Sequence, residues 1–250
     1  LGETGISFLE SLDADTRRSR CRGLFALELS LVLVTRGVDP PLEMIEEARA
    51  RNTPLGVASP RSSRTIAILH SVLDRLLAPT ETRHGVLIDV HGIGALLLGP
   101  SGIGKSECAL FLVERGHRLV ADDQVVLTRS PSDEILGSAP PLLRHHLELR
   151  GIGIIQVREL FGATAVRDEK AVNLVVELCP FDPAQEFDRL GLDDLAHDVL
   201  GVPLPMYRIP VQPGRHMAVI LAVAALQHMP RRHGLHPSQD LASRLPAPHP

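Results

Sequence analysis

The stretch from Leu96 to Glu107, Leu-Leu-Leu-Gly-Pro-Ser-Gly-Ile-Gly-Lys-Ser-Glu, constrains this chain more than any other. An apolar run feeds a glycine-rich turn, and Cys108 to Val113 continues with the apolar packing of a helix. Residues 99–106 spell G-x-x-x-x-G-K-S, the phosphate-binding P-loop. Glycines at 99, 102 and 104 open turn geometries that a Cβ would close. The freed N–H groups then face an anion at a helix N-terminus, whose dipole favours negative charge. Lys105 can reach the outer phosphates, and the Ser106 hydroxyl can hold Mg²⁺. Gly99, Pro100, Ser101, Gly102, Ile103, Gly104, Lys105 and Ser106 are therefore the expected nucleotide cradle, with ATP its expected ligand.

A strand–loop–helix unit of this kind belongs to an α/β fold. Upstream, Ile6, Leu9 and Leu12 have the spacing of a short helix, and Leu31–Val34 reads as a buried strand. Asp39-Pro40-Pro41 predicts the start of a helix, capped by Asp39 and presenting Leu42, Ile45 and Ala48. Residues 54–58 form a second strand candidate. Ser62 or Ser63 then caps a helix whose Ile66, Leu69, Val72, Leu73 and Leu76 make one apolar face. Residues 1–79 thus read as a small N-terminal α/β domain, and 80–250 as the P-loop domain. In the latter, Gly85–Gly92 and Gly94–Leu98 pair as a hairpin feeding the loop, and Gly116 closes the helix after it. Gln124–Arg129 and Val172–Leu178 read as strands. Leu204–Val211 is expected to be an edge strand at best, because Pro203, Pro205, Pro210 and Pro213 lie in or beside it. Met217–Leu226 reads as an apolar helix.

A carboxylate pair, Asp122-Asp123, ends the apolar run Leu119–Ala121, with Asp123 18 residues beyond Lys105. A metal-holding acid in P-loop proteins commonly follows a strand in this way. The rest of the chain narrows the partners. A net charge of −4 points to neither nucleic acid nor membrane, and with no Trp and one Tyr, base-stacking platforms are scarce. The three cysteines form no metal-ligand spacing. No apolar run approaches the ~20 residues of a membrane span, and the N-terminus carries no signal-peptide pattern. A cytoplasmic protein is the expectation.

Several blocks together resemble the HPr kinase/phosphorylase family: Arg83–Val90, the P-loop, Arg115–Asp123, Leu147–Ile155, Glu159–Gly162, Phe187–Gly191 and Pro210–Arg215. The resemblance implies a kinase core related to phosphoenolpyruvate carboxykinase, with a smaller N-terminal α/β domain that looks shortened by a first strand and helix. It implies phosphorylation of a serine on the phosphocarrier protein HPr by ATP. It also implies removal of that phosphate by inorganic phosphate, giving pyrophosphate. His84, Lys105, Asp123 and Arg189 match the family's catalytic positions. Ser106 and Glu148 match its Mg²⁺ ligands, and Leu147–Gln156 matches the segment used in both directions. A hexamer of identical chains is implied as well. The chain departs from the pattern at Gln124, Gln156 and Gln212-Pro213, the last within the segment tied to dephosphorylation. Two alternatives remain at this point. One is another P-loop kinase, although the N-K-x-D motif of GTPases is missing. The other is a nucleotide-binding sensor paralogue without turnover.

Overall fold

The computed structural model describes residues 1–183, 195–212 and 214–231. They fall into two units, Leu1–Leu77 and Ala78–Pro250. The first contains α1 (Glu3–Glu10), α2 (Ala14–Phe25), β1 (Val32–Thr35), α3 (Leu42–Ala50), β2 (Leu55–Ala58) and α4 (Ser62–Leu76). β1 and β2 run parallel, with Val32 opposite Leu55. Ile6, Phe25, Val34 and Met44 fill a small core between them and the helices. α2 has little apolar periodicity, because Asp15, Arg17, Arg18, Arg20 and Arg22 crowd it, and only Cys21 and Phe25 are buried. It is set instead by its cap: the Asp13 carboxylate accepts the Thr16 N–H at 2.9 Å.

Two helices start differently from the sequence expectation. α3 starts at Leu42 with Pro41 at its N-cap and no side-chain cap, so Asp39 does not close it. Its buried face is Glu43, Met44 and Ala48, while Leu42 stays 66% exposed. Glu43 tolerates that position because Arg17 pairs with it at 2.8 Å. α4 likewise has no side-chain cap. Ser62 is its first residue, and its hydroxyl bonds Thr35 Oγ1 at 2.7 Å instead. Only Thr65 of α4 is buried, so the stripe from Ile66 to Leu76 is amphipathic in sequence but not covered.

The second unit contains β3 (Thr80–His84), β4 (Val86–Val90), β5 (Ile93–Leu98), α5 (Lys105–Glu114), β6 (Arg118–Ala121), β7 (Gln124–Arg129) and β8 (Ile135–Ser138). It continues with β9 (His146–Leu149), β10 (Gly153–Gln156), α6 (Val157–Phe161), β11 (Glu169–Pro180), β12 (Leu195–Val199), β13 (Val202–Val211) and α7 (Met217–Arg231). The long strand β11 joins two layers. Its first residues pair antiparallel with β8, which continues through β7 to β3. Its later residues run parallel to β5, which continues antiparallel through β4 to β6.

Alternation along the strands assigns the two faces of the inner layer. Val86, Ile88, Ala95, Leu97, Leu174 and Val176 pack towards Leu112 of α5 and Leu221 of α7. Leu87, Leu96 and Val175 point the other way, into Val125, Leu127 and Ile135 of the second layer. Both faces are covered, which is why Val86–Ile88 of β4, Ala95–Leu98 of β5 and Leu174–Val176 of β11 are apolar without alternation. The glycine-rich loop leaves β5 from between these layers.

β13 is not an edge strand. It pairs with β12 over Val202–Met206 and with β11 over Met206–Val211. The two pairings are staggered, and the prolines use the stagger. Pro203 and Pro205 lie where only β12 pairs, and Pro210 lies where only β11 pairs. Each proline therefore has an open side for its missing donor.

Candidate active site

Two glycines in the loop are required by space as well as by backbone. At Gly99, φ is +141° and a Cβ would run into the Leu178 carbonyl oxygen of β11. At Gly102, φ is +81° and a Cβ would lie 2.6 Å from Nη1 of Arg150. The loop therefore passes against one strand and beneath one guanidinium. Gly104, with φ +102°, is the N-cap of α5.

Lys105 opens α5 and is only 6% exposed. Its Nζ donates to the carbonyls of Gly99 at 2.9 Å and Pro100 at 3.1 Å. It also lies 3.2 Å from His84 Nε2. Burial lowers its pKa below the ordinary lysine value, while Asp122 and Asp123 pull it back up. His84 ends β3 and turns its Nδ1 to Asp123 Oδ1 at 3.0 Å. One neutral tautomer, with the proton on Nδ1, satisfies both neighbours. Lysine, imidazole and carboxylate thus form one line along the cavity.

Asp123 sits in the left-handed region, at φ +66°. Its carbonyl accepts the Gly85 N–H at 3.1 Å, and the β3–β7 register places His84 opposite Gln124. Pairing on both sides holds a conformation that aspartate otherwise visits only locally. Asp122 is turned inward and is 3% exposed. Its Oδ1 accepts the Ser106 hydroxyl at 2.8 Å, and its Oδ2 accepts the Glu148 N–H at 2.9 Å. Burial raises its pKa, and those two hydrogen bonds oppose the rise. It ties the first turn of α5 to β9 and fixes the Ser106 rotamer.

The sequence candidates His84, Lys105, Ser106, Asp123 and Glu148 line one cavity of about 80 Å³, together with Asp122 and Arg150. Arg189 lies outside the described residues. The sequence reading gave no individual role to Asp122 or Arg150. A signal existed for Arg150: Leu147 and Leu149 are buried in β9, so period-two alternation turns Glu148 and Arg150 to the same side. Arg150 Nη2 reaches Ser101 Oγ at 3.3 Å.

The oxygens of Ser106, Asp122 and Glu148 are the hard donors that Mg²⁺ takes. Among the described residues no three His, Cys, Asp or Glu side chains converge as a full cage. A hydroxyl and one or two carboxylates are a donor set Mg²⁺ uses when phosphates complete its shell.

A phosphate loop on a mixed sheet, its lysine pointed at a histidine–aspartate pair, defines a nucleotide-dependent phosphotransferase. Family models for the HPr serine kinase N terminus and C-terminal domain match residues 1–73 and 75–245. HPr kinase/phosphorylase of Geobacter sulfurreducens is 43% identical over 245 residues, covering 98% of this chain and 77% of that protein. The same-named protein of Geobacillus kaustophilus is 44% identical, covering 98% and 79%. The solved HPr(Ser) kinase/phosphatase of Coxiella burnetii superposes with a TM-score of 0.57 at 31% identity, covering 62% of this chain and 93% of that one. The chain belongs to the HPr serine kinase family.

Proposed function

We propose that this chain transfers the γ-phosphoryl group of ATP to a serine of HPr and removes it again by phosphorolysis. The line from Lys105 through His84 to Asp123 beside the glycine loop carries this reading. A serine hydroxyl is a weak nucleophile at neutral pH and needs a base within hydrogen-bond reach. Asp123 takes its proton as the serine oxygen attacks the γ-phosphorus and ADP departs. His84 holds that carboxylate in place and links it to Lys105. Lys105, Arg150 and, by resemblance, Arg189 neutralise charge on the phosphoryl oxygens.

In the opposite direction an oxygen of inorganic phosphate attacks phosphoserine and forms pyrophosphate. Protonated Asp123 returns its proton to the departing serine oxygen. Bound Mg²⁺, held by Ser106 and Glu148 with Asp122 behind them, would supply further charge neutralisation at the phosphates. We place the domain boundary at residues 79 and 80 and take the working form to be a cytoplasmic homo-oligomer, a hexamer. No helix among the described residues is long and apolar enough to cross a membrane.

Incubation with HPr, Mg²⁺ and ATP, read by mass spectrometry, tests the proposal. Phosphoserine on HPr supports it. Nucleotide binding without any phosphoserine overturns it.

A further inference from the structure

The hairpin of β9 and β10 brings Glu148 to the catalytic cavity, with Arg150 directly after β9, yet it is a two-stranded sheet of its own. Among the described residues no ladder ties it to the nine-stranded sheet, so other contacts set its place beside the glycine loop. Near the cavity, the Asp122 carboxylate accepts the Glu148 N–H, Arg150 reaches Ser101, and Leu147 and Leu149 are buried in the core. The turn end offers no anchor of that kind, since Ile152 and Ile154 are 74% and 69% exposed. The base of the hairpin, where His146 stands opposite Gln156, is held differently.

His145 precedes β9 in the left-handed region, at φ +64°. A non-glycine residue persists there only where its surroundings hold it. Its carbonyl accepts the Val157 N–H at 2.9 Å, which closes the base of the hairpin at the start of α6. Its side chain is 11% exposed, and Nε2 lies 2.9 Å from Asp168 Oδ1. A carboxylate oxygen only accepts, so the Nε2–H donates. Asp168 is itself placed by the main sheet. The preceding Arg167 donates its backbone N–H to the Leu119 carbonyl of β6 at 2.8 Å, and its Nη1 to the buried Asp89 of β4 at 3.0 Å. The following residue, Glu169, opens β11. The pair therefore links the main sheet to the base of a hairpin that no ladder attaches.

We propose that His145 and Asp168 are a positioning pair for phosphoryl transfer, fixing the base of the hairpin that brings Glu148 and Arg150 to the glycine loop. This rests on the phosphotransferase reading given above. Asp168 is largely exposed, and such a pair contributes little to global stability, so its loss acts on the hairpin and leaves the fold standing. The test compares the full chain with Asp168→Ala, Asp168→Asn and His145→Asn, the last keeping a residue type that tolerates positive φ. Each is read by melting, by kinase kinetics on HPr, and by amide hydrogen exchange across residues 146–156. Asp168→Ala and His145→Asn should lower kcat roughly tenfold, through a small displacement of charged groups, and leave KM for ATP within about twofold. Exchange should quicken across 146–156 while the melting profile stays native. Asp168→Asn, whose carbonyl oxygen still accepts from Nε2, should retain most of the wild-type kcat. Unchanged kcat in Asp168→Ala, equal losses in the alanine and asparagine variants, or a higher KM at unchanged kcat overturns the assignment. A wild-type chain that forms no phosphoserine fails the phosphotransferase reading instead. Exchange, which needs no turnover, then decides the pair, and an unchanged rate across 146–156 in Asp168→Ala overturns it.

Discussion

The tight passage of Gly102 beneath Arg150 yields a prediction that separates backbone strain from chemistry. Gly102→Ala has two consequences. An alanine at φ +81° carries about 1–2 kcal/mol of left-handed strain. In a chain of this size that lowers the melting temperature by about 2–8 °C. The new Cβ also starts 2.6 Å from Arg150 Nη1, and the far end of a long side chain is what gives way. The guanidinium then leaves the cavity and its bond to Ser101. Loss of one positioned charged donor lowers kcat by roughly 10²–10³. Arg150→Ala removes the same charge without the strain. In kinase assays on HPr, both single variants should lose activity to a similar degree, and the double variant should lose no more than Arg150→Ala alone. Melting temperature should fall only where Gly102 is changed. Multiplicative losses of activity would refute the reasoning, because each residue would then act independently.

Three further outcomes follow from the same geometry. Lys105→Ala should abolish measurable ATP binding by calorimetry, and retained affinity would place the nucleotide elsewhere. Leu112→Ala empties a fully buried position between α5 and the inner sheet, and should lower unfolding free energy by about 2–5 kcal/mol in urea titration; a loss near zero would mean the layer is not packed as described. The Arg17 hydrogen bond holds the Glu43 carboxyl below its ordinary value of 4.5. A depressed acid contributes stability above its unfolded pKa and loses it as pH falls through the folded one. Glu43→Gln should therefore lower the urea midpoint at neutral pH, and the difference should shrink as pH falls below the ordinary glutamate range; a difference that persists in strong acid would contradict the pairing.

Much of the site was legible because phosphate chemistry restricts residue types at fixed spacing. Gly99, Gly102 and Gly104 are tied to backbone geometry that few other residues can adopt, and Lys105 follows them as the first residue of α5. The acid pair was visible, but not its division of labour. Adjacent residues turn to opposite sides, and only the fold reveals that Asp122 faces inward to Ser106 while Asp123 faces His84. The prolines of β13 misled for a physical reason: proline argues against pairing on two sides, and staggered neighbours remove the conflict. α2 was silent because its helix is fixed by a cap and two buried side chains instead of a stripe. In α3, Glu43 displaced the expected apolar face because a distant arginine neutralises it, a contact no local pattern encodes.

The most direct measurement compares the wild-type chain with Asp123→Asn in both directions, scoring phosphoserine on HPr by mass spectrometry and ATP binding by calorimetry on the same samples. The account predicts that the variant still binds ATP, yet neither forms phosphoserine from ATP nor releases it with inorganic phosphate. Near-native rates in the variant would show that the proton is handled by another group, and would contradict the account.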